Sequence, residues 1–312
     1  MAGIIYKLTG QRSRGVIASY HQKPSALHVG KTPHRVDIAG LKKAQQRDLI
    51  TFDGIEYTSR FTIGFEIEKN DLHRGAVREY ELLCGFERDG SCGFEAVTHI
   101  LPLLPATSWR TKVFDMMHKA EKIIDDRFSV SDKRCGGHIT LSVQGMSGDE
   151  LRAKVRKNCG VILALFRKRL NNKYCGANRR MQEGIASVFN SYGQTYDYGR
   201  HDNHWKYQLA LVKNGSAGYD ANGKLLEFRL PSRVQSVKQL MRRYELFYEL
   251  VNFSVNNPNG SHEAFLKRVR PIILSMYNGD ENLTSEVLRL SKHFREFILS
   301  GRIHQDIAQY LQ

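Results

Sequence analysis

Long apolar runs are missing from this sequence. No stretch of about 18 consecutive apolar residues occurs, so the sequence predicts no transmembrane helix. Residues 1–15 hold only a pair of isoleucines as an apolar patch, which is too short for the core of a signal peptide. We therefore expect a cytoplasmic protein.

Cysteines are few, and none are spaced as C-x-x-C. The five are Cys84, Cys92, Cys135, Cys159 and Cys175. An odd number without that spacing argues against a zinc-binding or disulfide framework, so we expect mostly reduced thiols.

The common phosphate-binding loops are also missing. The sequence has neither the GxxxxGK[ST] pattern of a P-loop nor the GxGxxG pattern of a dinucleotide-binding turn. Any nucleotide must therefore be held in another way.

Acidic residues are scarce relative to basic ones. The 312 residues include 47 Lys and Arg against 32 Asp and Glu, which gives a formal net charge of +15. This balance favours anionic partners such as nucleotides, nucleic acid or acidic polymers. The alternative is a basic surface that serves solubility, because the basic residues are spread along the chain.

The pattern of the chain changes near Phe61. Residues 1–60 form a basic, β-rich segment, and alternating strand and helix patterns follow. We predict strands at 60–69, 78–89 and 136–144, a hairpin from 204–215 and 223–232, and helices at 107–128, 147–170, 179–189 and from 235 onward. This order predicts an α+β fold: a twisted, mostly antiparallel sheet with helices on one face and polar residues on the other.

Polar residues interrupt several of these strands. Glu66 and Glu68 are two residues apart on one strand, so their side chains point to the same face. Like charges so placed repel each other unless a cation lies between them. Further polar residues in the later strand segments are Asp89, Ser91, Glu95, His138, Glu227 and Arg229.

Taken one at a time, each feature has a simpler explanation. A pair of glutamates can lie on a solvated edge, a histidine can be structural, and Glu227 with Arg229 can form a salt bridge. Together they predict a carboxylate-lined face that binds Mg²⁺ and, through it, the phosphates of ATP. An arginine beside such a face would offset the charge on a transferred phosphoryl group.

Five motifs follow one another in a characteristic order. They are "GFEIE", "DGSCGFEAVT", "GGHITLSV", "RKRLNNKYCG" and "LLEFRLPSRV". In this order the chain resembles the amidoligase family, which are carboxylate–amine ligases with a glutamine synthetase-like fold. The resemblance covers residues 61–255 as a catalytic domain and leaves out residues 1–60 and a C-terminal helical extension, 256–312. Thr140 stands where the family often has a second His or Asn.

The resemblance implies a set of roles. Mg²⁺ would be bound by Glu66, Glu68 and Glu227, with Glu95 and His138 completing the metal and nucleotide site. Arg229 would contact phosphate or the acyl-phosphate intermediate and would be catalytic, as would Glu66 and Glu68. Arg167 or Arg169, with Tyr174, would lie near the substrate pocket and the nucleotide. The implied reaction activates an amino-acid or peptide carboxylate with ATP, and an amine then displaces phosphate. Because the sequence has no long apolar run, we expect no membrane partner, and an oligomer is possible.

Two other interpretations remain open. Cys135 lies three residues before His138, and Cys175 follows Tyr174, which allows thiol catalysis. Alternatively, the chain is a non-enzymatic nucleic-acid-binding or structural assembly protein on a ligase-like fold. Basic stretches such as "RAKVRKN", "FRKRLNNK" and "ANRRM" favour that alternative.

Overall fold

The computed structural model describes residues 51–52, 55–56, 61–73, 80, 82–89, 92–98, 101–143, 145–170, 209–213 and 225–311. Several predicted features lie outside these residues: the segment 1–50, the helix at 179–189, the tip of the hairpin, Ser91, Tyr174 and Cys175.

The described strands build one large antiparallel sheet and a small one. The strands are β1 (Thr51–Phe52), β2 (Ile55–Glu56), β3 (Phe61–Lys69), β4 (Leu83–Asp89), β5 (Gly93–Thr98), β6 (Leu101–Pro102), β7 (Ile139–Val143), β8 (Ala210–Lys213) and β9 (Leu225–Phe228). β1 pairs with β2 alone. The others form a seven-stranded sheet in the order β4-β5-β3-β7-β9-β8, with β6 also paired to β3. All of these pairings are antiparallel.

The described helices are α1 (Ser108–Lys119), α2 (Glu121–Ile124), α3 (Gly148–Val155), α4 (Gly160–Leu165), α5 (Val237–Asn256), α6 (His262–Met276), α7 (Glu281–Ser300) and α8 (Gln305–Ala308). Two 3-10 turns, Arg156–Asn158 and Arg167–Arg169, follow α3 and α4. The mixed α+β class with an antiparallel sheet is therefore confirmed. Within the described residues, none of the helices combines the length and apolar composition that a bilayer crossing requires.

The helix predicted at 107–128 is shorter than expected. It is interrupted at Ala120 and ends at Ile124. Asp125 then forms a turn, because its carboxylate accepts a hydrogen bond from the backbone N–H of Arg127 at 2.9 Å. Such a local bond competes with helix continuation.

The helix predicted at 147–170 begins as expected and then breaks. Ser147 and Glu150 form the predicted capping box. The break follows Val155, where the chain tightens into a 3-10 turn. At the start of α4, Gly160 packs so closely on α7 that a Cβ there would lie 2.2 Å from the Ser291 carbonyl oxygen. The prediction of a single continuous helix was therefore wrong, and this contact with a distant helix is absent from the local pattern.

Alternation along β3 separates an apolar face from a polar one. Phe65 and Ile67 point to the apolar face and are buried in the main hydrophobic core. On the same sheet, Phe228 packs edge-on against Phe247 of α5 at 5.1 Å between ring centroids. The buried core includes residues up to Leu311 and therefore contains residues from both sides of position 256. The boundary between a catalytic domain, 61–255, and a C-terminal extension, 256–312, stays a prediction.

Candidate active site

Strand register brings the predicted acidic residues to one face of the sheet. Glu68 of β3 is paired with Glu95 of β5. On the other side of β3, the Glu66 N–H donates to the His138 carbonyl oxygen at 3.0 Å, just before β7 begins. Thr140 of β7 is paired with both Gly64 and Glu227. Because directly paired residues share a face, these side chains line the face opposite Phe65 and Ile67.

His138 is the centre of this group. Its Nδ1 atom lies 2.7 Å from Glu66 Oε2, and its Nε2 atom lies 3.4 Å from Glu68 Oε1. Nδ1 is also 4.0 Å from Glu227 Oε1. All four side chains are buried, with Glu227 completely so. One imidazole therefore contacts carboxylates from β3 and lies close to a third from β9.

Further hydrogen bonds orient two of the carboxylates. The Arg229 guanidinium donates from Nη1 to Glu227 Oε1 at 2.6 Å. The backbone N–H of Gly136 donates to Glu68 Oε2 at 2.5 Å. Charge-assisted bonds of this kind fix the direction in which a carboxylate points.

Two buried arginines support the loop that carries Gly136. Arg169 donates to the Cys135 carbonyl oxygen at 2.7 Å, and Arg243 donates to the Ser232 carbonyl oxygen at 2.6 Å. Ser232 in turn pairs with Gly136 in an isolated bridge. Burial, together with the charge of Arg169, lowers the pKa of Arg243 to about 9. We infer that these two cations hold the backbone on which Glu68 and His138 depend.

Sequence analysis missed Arg243, although a signal was present. It lies three residues after Leu240 and four before Phe247, on the stripe that α5 buries. A basic residue on such a stripe indicates a buried cation that needs backbone acceptors. Here Ser232 and Arg233 provide them, the latter through its carbonyl oxygen at 2.9 Å from Arg243 Nη2.

Glu87 was also missed, and a repeated triplet could have revealed it. Gly-Phe-Glu occurs at 64–66, 85–87 and 93–95. In β4, Glu87 is the backbone partner of Glu95, which is itself the partner of Glu68. Glu87, Glu95 and Glu68 are therefore neighbours across the three adjacent strands β4, β5 and β3.

The other predicted residues are placed differently. The Arg167 guanidinium contacts Glu286 of α7 at 3.0 Å and the Tyr310 hydroxyl at 3.3 Å. It is thus engaged with the C-terminal helices, while Arg169 lies behind the Cys135–Gly136 backbone. Asp89 is the last residue of β4. The structure therefore does not bring Arg167 to the acidic group.

The residues at this face fit a divalent cation. Donor atoms of Glu66, His138 and Glu227 all lie within 4.8 Å of one another. Carboxylate oxygens are the ligands that Mg²⁺ prefers, whereas an imidazole also suits transition metals such as Mn²⁺ or Zn²⁺. The buried Thr140 hydroxyl, beside Glu227 in the register, makes no hydrogen bond to any described residue and offers another oxygen.

A second group, on α7 and α8, is a poorer candidate for a metal centre. It consists of His293, His304 and Asp306. The two imidazoles stack 3.7 Å apart and only 6° from parallel, so their in-plane lone pairs do not converge on one point. Arg289 also pairs with the Asp306 carboxylate.

Cys135 is not arranged as a nucleophile with His138 as its base. The thiol is fully buried and contacts Asn70 Oδ1 at 3.6 Å. A hydrogen bond with Cys92 lowers the pKa of the Cys135 thiol, against the effect of burial. Both ring nitrogens of His138 face glutamates instead. Cys92, Cys135 and Cys159 are buried and are not in disulfides.

Neither a protein-family model nor a curated protein sequence matches this chain. The resemblance to amidoligases therefore stays a prediction from the five sequence motifs.

Proposed function

We propose that this protein is an ATP- and Mg²⁺-dependent carboxylate–amine ligase with a glutamine synthetase-like catalytic fold. One observation supports this above all. Glu95, the pair Glu66 and Glu68, His138 and Glu227 come from four motifs that are far apart in sequence. They lie on, or directly beside, four adjacent strands in the order β5-β3-β7-β9.

The carboxylates would hold the metal. Glu66, Glu68 and Glu227 supply oxygen ligands, and His138 and Glu95 lie beside them. When bound, Mg²⁺ would supply positive charge that offsets the negative charge of the ATP phosphates. Thr140 replaces the second His or Asn of the family pattern with a hydroxyl, a hard oxygen donor that suits the same cation.

Arg229 is suited to contact phosphate. Its side chain keeps 18% of its surface exposed, whereas that of Glu227, its partner, is fully buried. The contact with Glu227 holds the guanidinium at the edge of the acidic group. In this position it would stabilise negative charge on a phosphoryl group in transfer.

The reaction has two steps. A carboxylate oxygen of the first substrate attacks the γ-phosphorus of ATP, which forms an acyl phosphate and releases ADP. The amine of the second substrate then attacks the acyl carbon, the C–O bond to phosphate breaks, and an amide, phosphate and a proton are released. The residues of this chain act by positioning and electrostatics rather than as a covalent nucleophile.

Phosphate release tests the proposal. The full chain is incubated with ATP and Mg²⁺ across a panel of amino acids and short peptides, offered singly and in pairs. We expect release to depend on one carboxylate and one amine together, and to be lost in Glu66→Gln. The proposal is overturned if no pair stimulates release by folded protein, or if release is equal in Glu66→Gln.

A further inference from the structure

Basic side chains from three elements meet on the surface where α7 packs against the turn after α3. This basic cluster consists of Lys154, Arg156, Lys157, Lys292 and Arg295. Arg295 donates to the Lys157 carbonyl oxygen at 3.1 Å, and Arg156 donates to the Leu299 carbonyl oxygen at 3.5 Å. Lys154 and Lys292 are exposed, and the other three are half-buried. Backbone carbonyls thus hold part of the cluster in place.

The cluster has no carboxylate partner among the described residues. Arg156, Lys157 and Arg295 donate to backbone oxygens, and none of the five takes part in an ion pair with a described Asp or Glu. Other arginines of the same two helices are paired, as Arg152 of α3 is with Asp149 and Arg289 of α7 is with Asp306. The nearby Glu296 pairs with Arg302 instead. Within the described residues, the positive charge of the cluster is therefore not neutralised by an ion pair.

Positive charge in the cluster contributes to lowering the pKa of two side chains, Lys157 within it and His262 beside it. The pKa of Lys157 is lowered by its partial burial and by the charges of Arg295 and Lys154. His262, the first residue of α6, is buried beside the cluster, and its Nε2 atom has no hydrogen-bond partner among the described residues. Its pKa is lowered to about 4 by burial and by Arg295 and Lys292, although Glu263 opposes this. The N-terminal end of α6 adds partial positive charge to the same region.

We propose that the basic cluster binds the phosphate backbone of a nucleic-acid duplex. The cations come from several elements and extend over an exposed surface, which suits a row of phosphates. Phe294 and Phe297, the phenylalanines on this part of α7, are buried, so neither ring can stack with unpaired bases. A duplex carries about one charge per 1.7 Å along its axis, which can neutralise several cations at once.

Salt-dependent binding of a fluorescent, mixed-sequence DNA duplex tests this proposal. The variant Lys154→Gln/Lys292→Gln removes two exposed cations that make no described hydrogen bond, so its fold should be retained. We expect its affinity to fall roughly tenfold or more at low salt. The slope of log K against log salt should decrease by about 1.8, because each lost phosphate contact contributes about 0.9.

A control variant separates the cluster from net charge. Lys238→Gln/Arg270→Gln removes the same charge near the opposite end of α6, where Lys238 contacts Asn278 and Arg270 pairs with Glu281. We expect this control to leave the slope nearly unchanged. Equal losses in the two variants would overturn the proposal in favour of net charge alone. The proposal would also be overturned if the unmodified protein did not bind the duplex at low salt. It would be overturned as well if Lys154→Gln/Lys292→Gln weakened binding of inorganic phosphate or ATP but left duplex binding unchanged.

Discussion

The Nδ1 atom of His138 lies 2.7 Å from Oε2 of Glu66, and both side chains are buried. This contact allows two roles for the sheet face. His138 can serve as a fixed partner that stabilises Glu66 in the fold, or as a co-ligand that shares a cation with it. The roles differ in what removal of each group does to stability and to ligand binding.

The first prediction concerns Glu66→Gln and Glu227→Gln, which keep the shape of the side chain but remove its charge. If both residues are metal ligands, the melting temperature without ligand should stay the same or rise, because repulsion among carboxylates is relieved. The increase in melting temperature caused by Mg²⁺ and ATP should disappear. Thermal denaturation with and without Mg²⁺ and ATP measures both effects.

Glu249→Gln is a matched control, since it removes an acid that pairs with Arg268 at the surface. It should leave the ligand-induced shift intact. If Glu66→Gln lowers the melting temperature of the free protein and keeps the shift, the "GFEIE" strand is scaffold, and the ligase proposal loses its main support.

The second prediction is that Glu66 and His138 are energetically coupled. Both substitutions alter the same buried hydrogen bond, so the effect of one should depend on whether the other is present. A double-mutant cycle with Glu66→Gln and His138→Ala should give a coupling energy of about 0.5–3 kcal/mol in chemical denaturation. The pair His138→Ala and Glu249→Gln should be additive to about 0.5 kcal/mol. Additivity in the first cycle would contradict the observed contact.

The third prediction concerns acid stability and His262. The fold lowers the pKa of His262 to about 4, whereas an unfolded histidine titrates near its ordinary value of 6.5. Between these values the unfolded chain binds a proton that the folded protein does not. Stability from this residue is therefore full above pH 6.5 and is lost as pH falls towards 4, by about 3 kcal/mol in total.

His262→Gln should remove this part of the pH dependence. Urea denaturation at several pH values between 4 and 7 should show a shallower decline for the variant than for the unmodified protein. The exposed His118→Gln provides the control and should keep the full decline. Equal slopes for His262→Gln and the unmodified protein would contradict the assignment.

The fourth prediction concerns Lys69, a fully buried lysine on the apolar face of β3. Its ammonium donates to the Ile124 carbonyl at 2.6 Å, the Val234 carbonyl at 2.9 Å and Asp126 Oδ1 at 2.8 Å. Burial lowers the pKa of Lys69, although Asp126 opposes that effect. Lys69→Met leaves these acceptors unsatisfied and should reduce the free energy of unfolding by about 3–5 kcal/mol. Lys122→Met, on the short helix α2, should change it by less than about 0.5 kcal/mol. Equal effects would show that Lys69 is not a structural anchor.

Local patterns in the sequence determined much of the sheet and of its polar face. Alternation along 61–69 predicts which residues share a face, because successive side chains of a strand point in opposite directions. The same rule groups Glu66 with Glu68 and Glu227 with Arg229. The capping box of Ser147 and Glu150 is likewise local and is confirmed.

Tertiary structure alone decided which of these residues meet. Nothing local to residue 138 indicates that its ring contacts Glu66 and Glu68, since that depends on the pairing of β3 with the start of β7. The close packing of Gly160 against α7 is likewise absent from the local pattern. Lys69 and Arg243 are buried only because distant backbone carbonyls reach them. Periodicity reports which way a side chain points within its own element, whereas its partners are set by the register and packing of elements far apart in the chain.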